Sequence, residues 1–369
     1  MKYYVIAGEA SGDLHGAKLI QQLMANDPQA TIRFWGGDKM QAAGGKMVKH
    51  YKELAFMGFW EVIKNLRTIL NNLAFCKKDI AAFSPDVIIY IDYPGFNMRI
   101  AQWAREQGYR NHYYISPQIW AWKENRIKKI KRDLDELYVI LPFETDYYRE
   151  KHQYDVTFVG HPLVEIISEE MKKPIENPFP FLLPDQPVVA LLPGSRKQEI
   201  EKMMPLFLEV ATAFPQHQFV IAAAPGIAVE WYAQFTQQAQ IHLVYQQTYS
   251  LLRIADAALV TSGTATLETA LFGVPQLVCY RSSWISYWIA KGVVQLEYIS
   301  LVNLILNKAV VPELIQGQCN VDEITHQLNA LFTDAVQSKM KADYDRIKTV
   351  LGKNKASAMV AEQIRKALG

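Results

Sequence analysis

Short, almost wholly apolar runs alternate with longer helix-like patterns along most of this chain. Runs without polar alternation are typical of strands that are covered on both faces, and their alternation with helices predicts an α/β fold built on parallel sheets. The predicted strands are Tyr3–Ala7, Val87–Asp92, His112–Ile115, Leu137–Leu141 and Val156–Val159 in the first half, and Val188–Leu192, Phe219–Ala223, His242–Tyr245, Ala257–Thr261 and Gln276–Cys279 in the second.

The length of 369 residues exceeds what one ordinary hydrophobic core supports and suits two domains. Residues 171–187 contain five prolines and little periodicity, which marks the best domain boundary. We therefore expect two Rossmann-like domains joined by a stiff linker. The expected divisions are a first domain over 1–170, the Pro-rich linker over 171–187, a second domain over 188–340 and a helical tail over 341–369 that packs back on the first domain.

Charge, cysteines and hydropathy narrow the class of protein. The net charge is +2, so nucleic acid is not an expected partner. The three cysteines are far apart and lack metal-ligand spacing, which argues against a disulfide framework and for a reducing compartment. No signal-peptide pattern opens the chain, and no run approaches about 18 apolar residues. We therefore expect a cytoplasmic protein with no bound metal and no other cofactor.

In the second half, a loop after one predicted strand runs from Leu192 to Arg196. Gly194 permits a tight turn there, Ser195 offers a hydroxyl, and Arg196 offers a cationic fork that suits phosphate. The loop is neither a Walker sequence nor a GxGxxG sequence, so ATP hydrolysis and NAD binding lose support.

A second loop of this half leads from a predicted strand into a helical pattern. Ser262, Gly263 and Thr264 lie where a helix N-terminus would bind phosphate, and Glu268 lies about one turn further on, where it can accept hydrogen bonds from both ribose hydroxyls. The alternative is that Ser262 and Thr264 only cap the helix. The two loops together favour a nucleotide diphosphate.

In the first half, the first strand runs into a turn with glycines and three ionisable residues, Glu9, Asp13 and His15. The density of polar groups at a strand end favours a functional site, with Glu9 and His15 near the chemistry and Ser11 and Asp13 near the acceptor. The alternative is a tight strand-to-helix turn that Ser11 or Asp13 caps.

Asp92 ends an apolar strand of the first half, which suits a general base whose pKa is tuned by burial. The alternative is that Asp92 caps the helix that begins near Asn97. Further along, Trp120 and Trp122 either pack in the core or stack on a sugar or an acyl chain. The basic run Arg126–Arg132 follows them and is either a solvated helix face or a contact with anionic head groups.

The segment at residues 54–75 is more apolar than one buried helix face needs. It contains Met57, Phe59 and Trp60, and it is either core or a segment that contacts a membrane surface and the lipid part of an acceptor.

Nine segments, spread over nearly the whole chain, carry a family resemblance. They are GEASGD (Gly8–Asp13), MGFWEV (Met57–Val62), IDYPGFN (Ile91–Asn97), SPQIWAWK (Ser116–Lys123), LPFE (Leu141–Glu144), VGHP (Val159–Pro162), LPGSR (Leu192–Arg196), TSGTATLE (Thr261–Glu268) and YISLVN (Tyr298–Asn303). In this order they resemble the lipid-A-disaccharide synthase family of GT-B glycosyltransferases. The chain has Gly95 where that family commonly has an acidic residue, which leaves Asp92 in place.

The resemblance implies a GT-B fold, with two Rossmann-like domains facing across a cleft. It implies an inverting transfer from UDP-2,3-diacylglucosamine to 2,3-diacylglucosamine 1-phosphate, without a metal, at the cytoplasmic face of the inner membrane of Gram-negative bacteria. It also implies that Asn303 contacts UDP and that Asn97 contacts the acceptor. Which of Asp92, Glu9 and His15 is the base stays open, as do the acyl-chain preference and a homodimer.

Two other functions compete with this prediction. One is another GT-B enzyme such as a UDP-sugar 2-epimerase, which shares the fold and the diphosphate loop but has no use for the apolar segment at 54–75. The other is a non-catalytic nucleotide sensor at the membrane, which has no use for Asp92.

Overall fold

The computed structural model of this protein describes residues 1–54, 66–174, 179–237, 240–261, 263–281, 297–352 and 355–369. The chain divides into two units. The first unit comprises Met1–Glu165 together with Leu351–Gly369, and the second comprises Ile166–Val350.

The first unit is built on a parallel sheet in the order β3-β2-β1-β4-β5-β6-β7. Its strands are β1 (Lys2–Ala7), β2 (Thr31–Gly36), β3 (Lys46–His50), β4 (Val87–Ile91), β5 (Asn111–Tyr114), β6 (Glu136–Val139) and β7 (Thr157–Phe158). All five strands predicted for this half are confirmed, with ends that differ by a residue or two. Strands β2 and β3 were not predicted, because their apolar residues are interrupted by charged ones.

Helices cover both faces of this sheet. They are α1 (Ala10–Asn26), α2 (Asp38–Ala43), α3 (Leu66–Phe83), α4 (Pro94–Glu106), α5 (Ile127–Asp133), α6 (Pro142–Asp146) and α7 (Pro162–Met171), with short helical turns at Tyr51–Glu53, Glu124–Arg126 and Tyr147–Lys151. Successive β1 residues belong to different buried clusters: Tyr4 packs with residues of α3 and α4, and Val5 packs with residues of α1. The strands are therefore buried on both faces, as their continuous apolar sequence predicts.

The second unit repeats this plan with a parallel sheet in the order β10-β9-β8-β11-β12-β13. Its strands are β8 (Val188–Leu192), β9 (Gln218–Ala223), β10 (Ile241–Tyr245), β11 (Ala257–Thr261), β12 (Gln276–Tyr280) and β13 (Glu313–Ile315). Its helices are α8 (Lys197–Thr212), α9 (Thr248–Leu252), α10 (Thr264–Phe272), α11 (Leu301–Leu306), α12 (Val321–Leu331) and α13 (Asp334–Val350), with short helical turns at Val229–Phe235 and Gln316–Gln318. The five strands predicted for this half are confirmed, and the two parallel sheets confirm the α/β class.

The last helix, α14 (Ala356–Leu368), lies in the first unit and packs against α1. The Glu165 carboxylate accepts hydrogen bonds from the Ser357 hydroxyl at 2.8 and 3.0 Å, which ties α14 to α7. The expected tail at 341–369 is thus divided at Leu351, since α13 belongs to the second unit. Among the described helices, none is long and apolar enough to cross a membrane.

Each sheet has one point where the chain order reverses. In the first sheet, the chain extends from β1 through β2 and β3 to one side, and from β4 through β7 to the other. In the second sheet, it extends from β8 through β9 and β10 to one side, and from β11 through β12 and β13 to the other. Ligands of such sheets bind outside the carboxyl ends of the strands at this switch point. Ala7 is paired with Ile91 and Leu192 with Val260, so the loops that follow these pairs line the two crevices.

Candidate active site

Asp92 and Tyr93 form a strained turn directly after β4. Both have positive φ angles, 45° and 50°, which non-glycine residues adopt uncommonly and at a cost of about 1–3 kcal/mol each. Three hydrogen bonds hold the turn: Asp92 N–H donates to the carbonyl of Tyr114 at 3.1 Å, and the Asp92 carbonyl accepts from Asn97 Nδ2 at 2.7 Å and from the Tyr113 hydroxyl at 2.5 Å. The backbone of Asp92 is therefore fixed by its neighbours.

The carboxylate of Asp92 is not used as a helix cap. Helix α4 begins at Pro94 with Tyr93 as its N-cap residue and no side-chain cap hydrogen bond, so the capping alternative for Asp92 is wrong. Burial, and secondly the charge of Glu9, raise the pKa of Asp92 from 3.8 to about 6, against a hydrogen bond from the Tyr93 N–H that lowers it. A carboxylate with a pKa near neutrality suits proton abstraction at physiological pH.

Glu9 and Asp92 are brought together because their loops touch. The Tyr93 ring lies against Gly8, where an added Cβ would be 2.2 Å from Tyr93 Cδ1. Glu9 is the N-cap residue of α1 and makes no side-chain cap hydrogen bond, so the predicted alternative of a cap by Ser11 or Asp13 is wrong as well. Ser11 is exposed at the start of α1.

Asp13 is occupied by the protein's own backbone. Its buried carboxylate accepts hydrogen bonds from the N–H groups of Gly37, Lys39 and Met40 at 2.7, 3.2 and 3.0 Å, and so it caps α2. Asn97 is also fully buried, and its amide holds the Asp92 turn. Both residues thus support the site from within the protein.

His15 lies beside a histidine that was not among the predicted site residues. Burial, and then the charge of Lys39, lower the pKa of His15 to about 4. Burial, and then His15, lower the pKa of His161 to about 3. Both rings are therefore neutral at pH 7, and His15 is a weaker base than Asp92. The VGHP segment after β7 was the available signal for His161.

The two tryptophans have different surroundings. Trp120 packs edge-on against Phe143 at 5.0 Å. Trp122 is 46% exposed, with Lys123 Nζ 4.4 Å and Arg126 Cζ 5.2 Å from its ring centre. Trp122 is therefore the more exposed of the two tryptophans, and its ring contacts two cations.

Glu144, from the LPFE segment, is a second carboxylate that sequence reasoning passed over. It is buried and accepts hydrogen bonds from the N–H groups of Ile140 and Leu141 at 3.1 and 2.9 Å. Burial raises its pKa to about 7, with hydrogen bonds from these N–H groups acting in the opposite direction. These bonds fix the entry into α6.

In the second unit, the loop after β8 depends on its glycine. Gly194 has a φ of 116°, and an added Cβ would lie 2.8 Å from the Glu199 carboxylate. Glu199 accepts hydrogen bonds from the N–H groups of Ser195 and Arg196 at 3.1 and 3.2 Å. The side chain of Arg196 is 71% exposed, and its guanidinium makes a long 3.5 Å contact with Glu199. The side chain of Arg196, more than the loop backbone, is thus available to an anion.

The loop after β11 opens onto a helix N-terminus. Gly263 is the N-cap residue of α10, with no side-chain cap hydrogen bond and no acidic residue in the first turn, and exposed Thr264 is the first helical residue. Thr264 therefore does not cap this helix, and the N-terminus can take an anion. Ser262 lies outside the described residues.

Glu268 is held by a tyrosine that was not predicted. Burial raises the pKa of Glu268 to about 7, and a hydrogen bond with Tyr249 acts in the opposite direction. Tyr249 belongs to α9, which follows β10. A tyrosine hydroxyl donates to a carboxylate, so Tyr249 orients Glu268 and favours its charged form.

Asn303 has no bonding capacity left for a nucleotide. Its Nδ2 donates to the Val311 carbonyl and to Glu313 at 2.9 and 2.8 Å, and its Oδ1 accepts from the N–H groups of Val310 and Val311 at 2.8 and 2.9 Å. These bonds use both amide hydrogens and both acceptor positions. Glu313 in turn accepts from the N–H groups of Ile299 and Ser300, so Asn303 organises the loop ahead of α11.

The apolar segment at 54–75 is described only at its ends, and Met57, Phe59 and Trp60 lie outside the described residues. The carbonyl of Leu54 accepts a hydrogen bond from the Tyr93 hydroxyl at 3.2 Å. On α3, Leu70 is 54% exposed and Phe75 is exposed too. Helix α3 therefore presents apolar side chains to solvent. Within the described ranges, no three His, Cys, Asp or Glu side chains are grouped as metal ligands.

Comparison with known proteins covers both units. A model of the lipid-A-disaccharide synthetase family matches residues 3–368. The chain is 37% identical over 377 residues to a lipid-A-disaccharide synthase of Syntrophus aciditrophicus (strain SB), covering 98% of each chain. It is 36% identical over 372 residues to a lipid-A-disaccharide synthase of Geobacter metallireducens (strain ATCC 53774 / DSM 7210 / GS-15), covering 99% of this chain and 97% of that relative.

Solved structures share the fold at low identity. The UDP-GlcNAc 2-epimerase from Neisseria meningitidis bound to UDP-GlcNAc has a TM-score of 0.71 at 14% identity and covers 99% of this chain and 100% of that chain. The glycotransferase of kitacinnamycin has a TM-score of 0.67 at 12% identity and covers 100% of this chain and 99% of that chain. These likenesses show the GT-B fold alone, so they do not favour the epimerase alternative. On its family match and its full-length relatives, the chain belongs to the lipid-A-disaccharide synthetase family of glycosyltransferases.

Proposed function

We propose that this chain transfers 2,3-diacylglucosamine from UDP-2,3-diacylglucosamine to the primary hydroxyl of 2,3-diacylglucosamine 1-phosphate. The products are the β(1→6)-linked disaccharide 1-phosphate and UDP. Family membership makes the chain a glycosyltransferase of lipid A disaccharide synthesis, with a nucleotide sugar and a lipid-linked sugar as substrates. The observation that carries the mechanism is the carboxylate of Asp92, held at the switch point of the first sheet with its pKa raised to about 6.

The reaction is a single displacement with inversion. The acceptor hydroxyl oxygen attacks the anomeric carbon of the donor, and the bond from that carbon to the UDP oxygen breaks, so the electron pair leaves with UDP. Asp92 takes the hydroxyl proton as the new bond forms. Glu9 keeps Asp92 basic through its charge. Neutral His15, in α1 with His161 beside it, positions the acceptor.

The donor nucleotide is assigned to the second unit. The Arg196 guanidinium pairs with the diphosphate, which also faces the N-terminus of α10 near Gly263 and Thr264. Glu268 accepts hydrogen bonds from the ribose hydroxyls, oriented by Tyr249. For Asn303 we propose an indirect role, because its side chain is saturated within the protein.

We also propose that the protein acts as a peripheral protein at the cytoplasmic face of the inner membrane. Both proposed substrates carry acyl chains, so the acceptor site must meet a bilayer surface. The exposed apolar residues Leu70 and Phe75 of α3 support this location, together with the lysines of the same helix.

A direct assay tests the function. The purified chain is incubated with both lipid substrates in non-ionic detergent micelles, and UDP and disaccharide are measured. We expect equal amounts of both products and no UDP release without the acceptor. Epimerisation of UDP-GlcNAc in the absence of any acceptor, without disaccharide formation, would instead identify a UDP-sugar epimerase.

A further inference from the structure

A basic pocket lies beside the Asp92 turn in the first unit. It has a volume of about 400 Å³ and is lined by Pro94, Gly95, Met98, Arg99, Lys123, Asn125, Arg126 and Lys129. Four of these residues are cationic and none is acidic. A pocket of this size lies in the range that small-molecule ligands occupy. The pocket is therefore suited to a compact anion carried by a small molecule.

Helical spacing explains which cations line the pocket. Lys123, Arg126 and Lys129 follow one another at intervals of three, across the turn at Glu124–Arg126 and into α5, so they share one side. Other members of the basic run are engaged elsewhere: Lys131 donates to the His152 carbonyl, and Arg132 pairs with Asp133 at 2.6 Å. The run is thus divided between a pocket wall and an ordinary helix surface.

The positive charge of the pocket is not compensated within the described ranges. Arg99, Lys123, Arg126 and Lys129 form no ion pair with a carboxylate there. The N-terminus of α4 adds its positive dipole end, since this helix of 13 residues begins at Pro94 and has no side-chain cap. Arg99 of α4 and Arg126 of the turn before α5 each offer a planar guanidinium whose N–H groups match phosphate oxygens.

We propose that this pocket binds the anomeric phosphate of the acceptor, an assignment that rests on the proposed function. A phosphate monoester carries a charge of about −1.5 to −2 at pH 7, which the four cations match. Gly95 follows Asp92 by three residues, so their Cα atoms are at most about 11 Å apart. The carbon that carries the phosphate (C1) and the carbon that carries the primary hydroxymethyl group (C5) are both bonded to the ring oxygen, so the two groups are separated by less than one sugar ring. With its phosphate in the pocket, the acceptor thus keeps its primary hydroxyl within reach of Asp92.

The test compares two acceptors in non-ionic detergent micelles, which contain no other anionic lipid. They are 2,3-diacylglucosamine 1-phosphate and the same lipid without its phosphate. We expect wild type to prefer the phosphorylated acceptor by about 10- to 100-fold in kcat/KM, the range for hydrogen bonds to a charged group. In Arg99→Gln/Lys129→Gln the preference falls towards one, mainly through KM. The rate with the unphosphorylated acceptor and the affinity for UDP stay near wild type, which also shows that the variant is folded.

Lys128→Gln is the matched control, because Lys128 is exposed on the same helix and does not line the pocket. It should keep the wild-type preference. An unchanged preference in Arg99→Gln/Lys129→Gln overturns the assignment. The assignment is also overturned if Arg99→Gln/Lys129→Gln loses flotation with phosphatidylglycerol vesicles but keeps the acceptor preference. The pocket would then be a site for bilayer head groups. Absence of disaccharide from wild type with either acceptor would overturn the proposed function itself.

Discussion

The ring of Tyr93 lies on the backbone of Gly8, so closely that a Cβ atom on Gly8 would approach Tyr93 Cδ1 to 2.2 Å. This contact joins the two loops that carry Glu9 and Asp92. It explains why glycine is needed at this strand end although its φ is unexceptional: the requirement is space for a neighbouring ring.

Gly8→Ala is expected to displace Tyr93 and with it the strained turn at Asp92. Overpacking of this kind costs about 1–3 kcal/mol of unfolding free energy. Urea unfolding should show that loss, and turnover should fall more than UDP affinity, because the proposed nucleotide site lies in the other unit. Gly226→Ala is the control, since an added Cβ there meets no atom of the described residues within 4 Å. Equal effects of the two variants would contradict this account.

Asp92→Asn should lower kcat by about 10²- to 10⁴-fold, the typical contribution of a general base. Asparagine is compatible with the positive φ of this position, so the turn should survive. UDP affinity, measured by calorimetry, should stay near normal. Near-normal turnover in Asp92→Asn, combined with a large loss in Glu9→Gln or His15→Ala, would transfer the role of base to that residue.

Glu9→Gln should move the pH profile. The base must be unprotonated, so kcat/KM should fall as the pH drops through the Asp92 pKa of about 6. The charge of Glu9 raises that pKa, so removing this charge should shift the acid limb of the kcat/KM profile to lower pH. Glu106→Gln, at the exposed end of α4, should leave the limb in place. A limb that does not move in Glu9→Gln would show that Glu9 acts otherwise than through its charge on Asp92.

Tyr249→Phe should weaken UDP binding by about 0.5–1.5 kcal/mol, the range of one hydrogen bond. The hydrogen bond from Tyr249 lowers the pKa of Glu268, so its loss should raise that pKa and protonate more Glu268 at pH 7. UDP affinity in the variant should therefore recover as the pH rises. Glu268→Ala should itself cost about 1.5–3 kcal/mol.

The control for Tyr249 is Tyr245→Phe, because Tyr245 is an exposed residue at the end of β10. In a double-mutant cycle, Tyr249→Phe should have little effect once Glu268 is alanine. Additive losses would mean that Tyr249 contacts UDP directly.

Membrane association should depend on salt and on α3. Flotation with anionic liposomes should weaken as salt rises, because part of the attraction is electrostatic. Leu70→Gln should reduce flotation further, whereas Leu183→Gln, a similarly exposed leucine of the second unit, should not. A protein that ignores liposomes at both low and high salt would refute the proposed membrane location.

The sequence predicted the central strands because burial on both faces leaves a continuous apolar run, as in β4 and β11. It missed β2 because Arg33 interrupts the pattern, and only the folded chain shows that Arg33 pairs with Asp79 at 2.8 Å. It missed β3 and β13, which lie at sheet edges and are only partly buried.

Candidate site residues were visible as polar groups at strand ends, but their hydrogen-bond partners were not. Asp13 and Asn303 are residue types that commonly bind ligands, yet their side chains are hydrogen-bonded within the protein, Asp13 to backbone N–H groups and Asn303 to backbone groups and the Glu313 carboxylate. Partners such as Gly37 come from another loop, so this distinction depends on tertiary structure. The importance of Tyr249 and His161 also depends on tertiary structure, because Tyr249 adjoins Glu268 and His161 adjoins His15.

The return of α14 to the first unit has a consequence for how the protein is made. The apolar face of α1 is part of a cluster that includes Val360 and Ile364 of α14. On the ribosome, α1 is made early, and that cover arrives only after all of Ile166–Val350 has been synthesised. At about 5–20 residues per second, the synthesis of Ile166–Val350 alone takes roughly 10–40 s. Throughout this time the nascent chain carries an uncovered apolar groove, so the first unit completes its core after the second unit has been made.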